Sequence, residues 1–214
     1  EYHAAFLGCG IELSPFKLRT QPGLIAHTDR AFGPLFGVFD DSLPDGWGLL
    51  LMDRHFRRHG IEPTTVSPLD RLAYLGTRTM GALTYHPPSH ERLGGGPQAL
   101  DLDALGSNAA AVMEGEAAEV LPELMRAGGS PGGARPKVLV GVQGDHVVSG
   151  EDTLPAGYEP WIIKFPTKAD GREAGAVEYA YSLMARAAGI EMPPTRLFEA
   201  VRGRKALRFF EIGR

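Results

Sequence analysis

The 214-residue chain has a single cysteine, Cys9, so it can close no internal disulfide and supply no cysteine-based zinc cluster. A lone thiol fits a reducing compartment, and the sequence reads as cytoplasmic. There is no excess of basic charge. The net charge is −4 at pH 7 and the sequence pI is about 6.0, so no field demands a nucleic-acid partner and no direct nucleic-acid binding is expected. No apolar run approaches the roughly 20 residues that cross a bilayer, so no membrane span is expected. Hydrolase signatures are absent as well. His55 and His59 stand at i and i+4, but Glu62 lies outside the pair, and His86, His90 and His146 complete no metal-ligand spacing. Ser14, Ser42 and Ser67 sit in turn or cap settings near proline, and none lies in a G-x-S-x-G elbow.

What the chain does have is glycine and proline: 28 and 17 residues, which predict many turns and short elements. Hydrophobic residues make up 43% and charged residues 22%, as in an ordinary soluble globular protein. Residues 1–40 combine proline, glycine and aromatics with short apolar pieces and read as short strands and turns. The period then changes. Asp45 can cap a helix from Gly46 in which Trp47, Leu50, Leu51 and Phe56 fall near helical spacing. Arg57, Arg58 and His59 complement the dipole at its C-terminal end, and Gly60 stops it. Ser67-Pro68-Leu69-Asp70 predicts a second helix, with a serine cap, proline at its first position and Gly76 beyond its end. MGALTYHP reads as a strand ended by Pro87-Pro88, and the Ala- and Leu-rich stretch 97–126 as one or two surface helices.

After Arg126 comes the loop GGSPGGARPK, from Gly128 to Lys137. KVLVGV and VVSG flank a QGDH turn and predict a hairpin. EPWIIKFP is a further strand. REAGAVEYAYSLMARAAG is a helix with Val177, Tyr181 and Met184 at i, i+4 and i+7, closed by Gly189. TRLFEAV and KALRFFEI are two more strands. The fold class expected is α+β: a mixed N-terminal subdomain over residues 1–95, then an antiparallel sheet with a packed helix over residues 96–214. Residue 1 is Glu rather than Met, and the sequence stops just after a strand-like run. Both ends read as those of a piece of a longer protein or of an ordinary trimmed chain.

The glycine loop is the first candidate site. Glycine lets backbone N–H groups approach an anion closely because no Cβ intervenes. Arg135 and Lys137 add positive charge, and Ser130 offers a hydroxyl. The spacing departs from the P-loop. Gly128 and Gly133 have four residues between them, but Ala134-Arg135 stands where Lys-Ser/Thr belongs, and a strand follows instead of a helix. A glycine-rich loop leading into a strand is how protein kinases cover the phosphates of ATP. Lys164 then sits inside an apolar strand among Trp161, Ile162, Ile163 and Phe165, where a lysine is costly unless a counter-ion or ligand meets it. In kinases such a lysine holds nucleotide phosphates and pairs with a glutamate of the next helix. Glu178 is that candidate here. Glu173 competes with it, but at the helix start a capping role explains it.

Those residues resemble a known family. SPGGARPK, WIIKFP and VEYAYSLMARAAGIEMPPTRLFE resemble the HipA-type serine/threonine kinases, toxins of bacterial toxin–antitoxin pairs. LSPFKL, FGVFDDSLPDGWG and LAYLGTRTMGAL look like that family's N-terminal subdomain, so the resemblance covers nearly the whole chain. It implies a nucleotide site formed by Ser130, Gly132, Gly133, Lys137, Lys164 and Glu178, with Ser130 as an autophosphorylation site that switches nucleotide binding off. It implies ATP and Mg²⁺ as cofactors. The partners implied are a helix-turn-helix DNA-binding antitoxin and a protein substrate of the translation machinery. It assigns no catalytic role to FDDSLPDGWG, whose aspartates are expected to cap helices and pack subdomains. The family's catalytic base and metal-binding aspartate lie further toward the C-terminus and have no counterpart in this sequence, so the chain by itself is expected to be an inactive lobe. A docking module that never binds nucleotide is the alternative.

Overall fold

The computed structural model describes residues 2–28, 33–89, 98–117, 119–128, 132–150, 153–171, 173–202 and 205–213. In chain order the elements are α1 (Ala4–Leu7), α2 (Gly37–Asp40), α3 (Gly46–Arg58), α4 (Pro68–Leu75), α5 (Leu102–Met113) and α6 (Pro122–Gly128). They are followed by β1 (Lys137–Gln143), β2 (His146–Ser149), β3 (Glu159–Lys164), α7 (Ala174–Ala187), β4 (Thr195–Arg202) and β5 (Lys205–Gly213). The five strands make one antiparallel sheet in the order β2-β1-β3-β5-β4. The fold is α+β, as the sequence predicts.

Two stretches expected to be extended form no strand among the described residues. Residues 1–40 hold the one-turn helices α1 and α2, and their one described bridge joins Ser14 to Leu18. MGALTYHP forms no strand either; Tyr85 N donates to Gly76 O at 2.9 Å and folds the segment back on the end of α4. Neither stretch has a described neighbouring strand to complete a ladder, and a lone extended segment has no stability of its own.

Residues paired across an antiparallel ladder share a face. One face of the sheet carries Val138, Val140, Val142, Trp161, Ile163 and Phe209, and it is the main core. Trp47 and Leu51 of α3, Leu105 and Ala109 of α5, and Leu124 and Ala127 of α6 pack on it. The helices of the 97–126 stretch are therefore core elements, where the sequence suggested surface ones. Leu102, Leu105, Ala109 and Val112 repeat at helical spacing and are all buried, and Asp101 caps that helix through the amides of Asp103 and Ala104 at 3.0 Å each. The opposite side of α3 builds a second cluster, in which Met52 and Phe56 meet Tyr74 and Leu75 of α4. The predicted Ser67 cap starts α4, and with Asp70 it forms a reciprocal capping box.

The other face of the sheet is covered differently. α7 lies on β4 and β5 with only Gly175 and Ser182 buried among its residues. A Cβ at Gly175 would stand 3.1 Å from the backbone N of Phe210, so the helix comes close because it is small there. Ser182 Oγ shares a hydrogen bond of 2.7 Å with Thr195 Oγ1, and Arg186 donates to Pro193 O and Thr195 Oγ1. Val177, Tyr181 and Met184, the stripe read from the sequence, are 52%, 66% and 63% exposed.

Candidate functional site

The second face of the sheet places lysines side by side. Lys137 begins β1 and Lys164 ends β3, and the two are direct partners in the ladder. Phe210 of β5 continues the row. Because β3 is the central strand, Lys164 is not an edge residue reaching for water. Its Nζ lies 5.1 Å from the centroid of the Phe210 ring and donates to Glu178 Oε1 on α7. Both side chains of this ion pair are about one-third exposed, so the pair lines a surface that a ligand can reach. Glu173, the competing candidate, neither meets Lys164 nor caps α7; it accepts from Arg208 Nη1 at 3.0 Å.

Like charges opposite each other on a sheet repel. Burial and the Lys164 charge together hold the Lys137 amine below the ordinary lysine pKa, while Asp45 and Glu178 pull it back up. Lys137 Nζ donates to Gly132 O, folding the lysine over its own loop. Gly133 has a φ of +96°, and a Cβ there would stand 2.6 Å from Lys137 Nζ, so the turn that brings the loop under the lysine requires glycine. Arg135, a possible phosphate ligand from the sequence, is taken by Asp170 in an ion pair of 2.8 Å. Ser130 lies outside the described residues.

A contact that sequence reading missed holds this loop. Asp45 stands at the N-cap position of α3 but its side chain does not cap the helix. Its Oδ1 accepts from Gly133 N instead. Trp47 N donates to Gly133 O at 3.1 Å, so both backbone polar groups of Gly133 are held from the start of α3. Trp47 Nε1 donates to Lys137 O at 3.1 Å, fixing the start of β1. Between them Gly46, at φ +38°, lets the chains touch; a Cβ there would stand 2.6 Å from Ala134 Cα. The DGW run is thus a clamp on the glycine loop. The Asp-Gly pair ahead of an apolar helix was the visible signal, and its partner 88 residues away was not.

The cavity bordering α7 at this cluster measures about 520 Å³ and is lined by Arg135, Asp170, Val177, Glu178 and Tyr181 among others. Two larger cavities lie away from it. Among the described residues no group of three or more His, Cys, Asp or Glu side chains is placed to hold a metal ion.

Comparison with known families gives two matches along the chain. The family model of the HipA N-terminal domain matches residues 1–86, and that of the HipA-like C-terminal domain matches residues 129–210. This chain is a HipA-like protein. A search of curated proteins gave no match. In this HipA-like chain the clamp joins the two matched stretches: Asp45 and Trp47 lie in the first, Gly133 and Lys137 in the second. Helices α5 and α6, between them, belong to neither match and supply core.

Proposed function

We propose that this HipA-like chain is the nucleotide-gripping part of an ATP-dependent serine/threonine protein kinase. The observation that carries the reading is the Lys164–Glu178 ion pair, which joins a central strand to the helix that follows it, beside a glycine loop leading into the neighbouring strand. Protein kinases use that combination to hold ATP phosphates. In this role Glu178 sets the position of the Lys164 ammonium, which meets phosphate oxygens. Lys137 exchanges its bond with Gly132 O for a second phosphate contact. Gly133, whose N–H is held by Asp45, shapes the loop, and the Gly132 amide receives a remaining oxygen. Ser130 is the position where autophosphorylation would add about −1.5 to −2 charges and draw the lysines away from ATP.

The described residues do not fit a complete Mg²⁺ site, since Glu178 is engaged by Lys164 and Asp45 by Gly133. No described residue is assigned as a metal ligand or as the catalytic base. A DNA-binding antitoxin and a protein substrate belong to this proposal as partners. The second reading, a docking module that takes no nucleotide, is favoured by one observation: the exposed apolar stripe of Val177, Tyr181 and Met184 on α7.

The test is calorimetric titration of Mg-ATP into the full gene product, wild type against Lys164→Ala. A charge-assisted phosphate contact contributes about 1.5–3 kcal/mol, so the variant should bind roughly 10- to 150-fold more weakly. Equal affinity in both would overturn the assignment, and binding of a partner protein with no response to ATP would favour the docking module.

A further inference from the structure

A lysine ends in a compact charge on a flexible stem, with three N–H donors and no acceptor. Among the described residues Lys164 Nζ has one anionic partner, Glu178 Oε1, and both side chains of that pair are about one-third exposed. An ion pair so open to water is screened and contributes little. Glu178 by itself therefore leaves the ammonium free to swing around the carboxylate. A second contact has to fix it if it is to meet phosphate oxygens in one geometry.

Phe210 stands where that contact belongs. It is the direct partner of Lys164 across β3 and β5, and of Leu197 across β5 and β4, so its ring shares the lysine's face of the sheet. Lys164 Nζ lies over the ring at 5.1 Å from its centroid, inside the roughly 6 Å reach of a cation–π attraction. The ring is itself held. Phe210 is 3% exposed, and the first turn of α7 lies against its strand, where a Cβ on Gly175 would stand 3.1 Å from Phe210 N. Its neighbour Phe209 belongs to the main core and meets Phe165 edge-on, with centroids 5.3 Å apart. Among the described residues Phe210 belongs to neither apolar cluster. Packing in the main core explains Phe209; Phe210 faces the lysine instead.

An aromatic face differs from a second carboxylate in what it leaves behind. The negative face of the ring attracts the ammonium without neutralising it. Glu178 takes one N–H, and the others stay available to the oxygens of an anion. A second acid in place of Phe210 would cancel the charge that a phosphate requires. We infer that Phe210 is a positioning residue for Lys164: its ring face fixes the ammonium against Glu178, so that the remaining N–H groups meet a phosphate in one geometry. The inference rests on the nucleotide reading of Lys164 and names a further residue on which that contact depends.

The test compares the full gene product as wild type, as Phe210→Leu, and with pentafluorophenylalanine in place of Phe210. Leucine keeps apolar bulk and removes the ring. Pentafluorination keeps the ring's shape and reverses the charge of its face. Without nucleotide, the Cε protons of Lys164 should resonate upfield of ordinary lysine in the wild type, from the ring current, and return to the ordinary position in Phe210→Leu. Calorimetric titration with Mg-ATP should give roughly fivefold weaker binding in both variants, and the pentafluoro protein should keep the wild-type melting temperature. A merely structural ring would not produce that last combination. Loss of affinity in Phe210→Leu alone, accompanied by a lower melting temperature, would make Phe210 a packing residue and overturn the inference. Binding that is lost in Lys164→Ala but unchanged in both Phe210 variants would overturn it too, and leave the nucleotide reading intact. A wild type that takes no Mg-ATP, or that binds it no better than Lys164→Ala, would overturn both.

Discussion

Helices α3 and α7 are nearly equal in length and lie on opposite faces of one sheet, yet they are held by different physics. α3 buries Trp47, Leu51, Met52 and Phe56 and joins two apolar clusters. α7 buries a glycine and a serine, exposes its large apolar residues, and is placed by Glu178, Ser182 and Arg186. The first is fixed by burial, which tolerates few changes. The second is fixed by polar contacts around a surface a ligand can reach.

Substitutions should separate the two. The largest effect belongs to Trp47→Ala, which empties a fully buried site and should cost about 3–5 kcal/mol of stability in denaturant unfolding. It also removes the Nε1 bond to Lys137 O, so a loss of nucleotide affinity should accompany it. Asp45→Ala comes next. It removes the acceptor for Gly133 N and should weaken nucleotide binding by about fivefold, the worth of a net hydrogen bond near 1 kcal/mol. Asp45→Asn keeps an oxygen there and should bind nearly as wild type. Equal losses in both variants would show that the charge acts, and the acceptor geometry does not.

A smaller effect is read against pH. Burial and the Lys164 charge lower the Lys137 pKa in the folded chain, so the unfolded chain holds that proton more tightly. Folding stability should therefore rise with pH through the window just below the ordinary lysine value of 10.5. Nucleotide affinity should fall across the same window, because a neutral amine offers no charge to a phosphate. Lys137→Arg should flatten both trends. The smallest effect is predicted for Tyr181→Ser on α7, within about 0.5 kcal/mol of wild-type stability as for other surface positions. A loss as large as that of Trp47→Ala would erase the contrast between the helices.

Much of this architecture was legible in the residues. Short apolar runs between turn residues marked β1 to β5, helical spacing marked α3 and α7, a serine cap marked α4, and Ala- and Leu-rich composition marked α5 and α6. The Lys164–Glu178 pair could be read because strand and helix adjoin in sequence, with the partners 14 positions apart. Residues 1–40 misled because proline, glycine and aromatics look alike in short strands and in one-turn helices. The α7 stripe misled because periodicity finds an apolar face without saying what covers it, and Gly175 and Ser182 were small enough to win the sheet. The Asp45–Gly133 clamp showed only its Asp-Gly half, since a tertiary hydrogen bond leaves no period in the chain to mark the distant partner.

The most direct test of the account is an NMR titration of the full chain with a non-hydrolysable ATP analogue. Saturable shifts should gather at Gly132, Gly133, Lys137, Lys164 and Glu178 and vanish in Lys164→Ala. Shifts that miss these residues, or that survive the substitution unchanged, would contradict the claim that the lysine pair and its glycine loop grip the nucleotide.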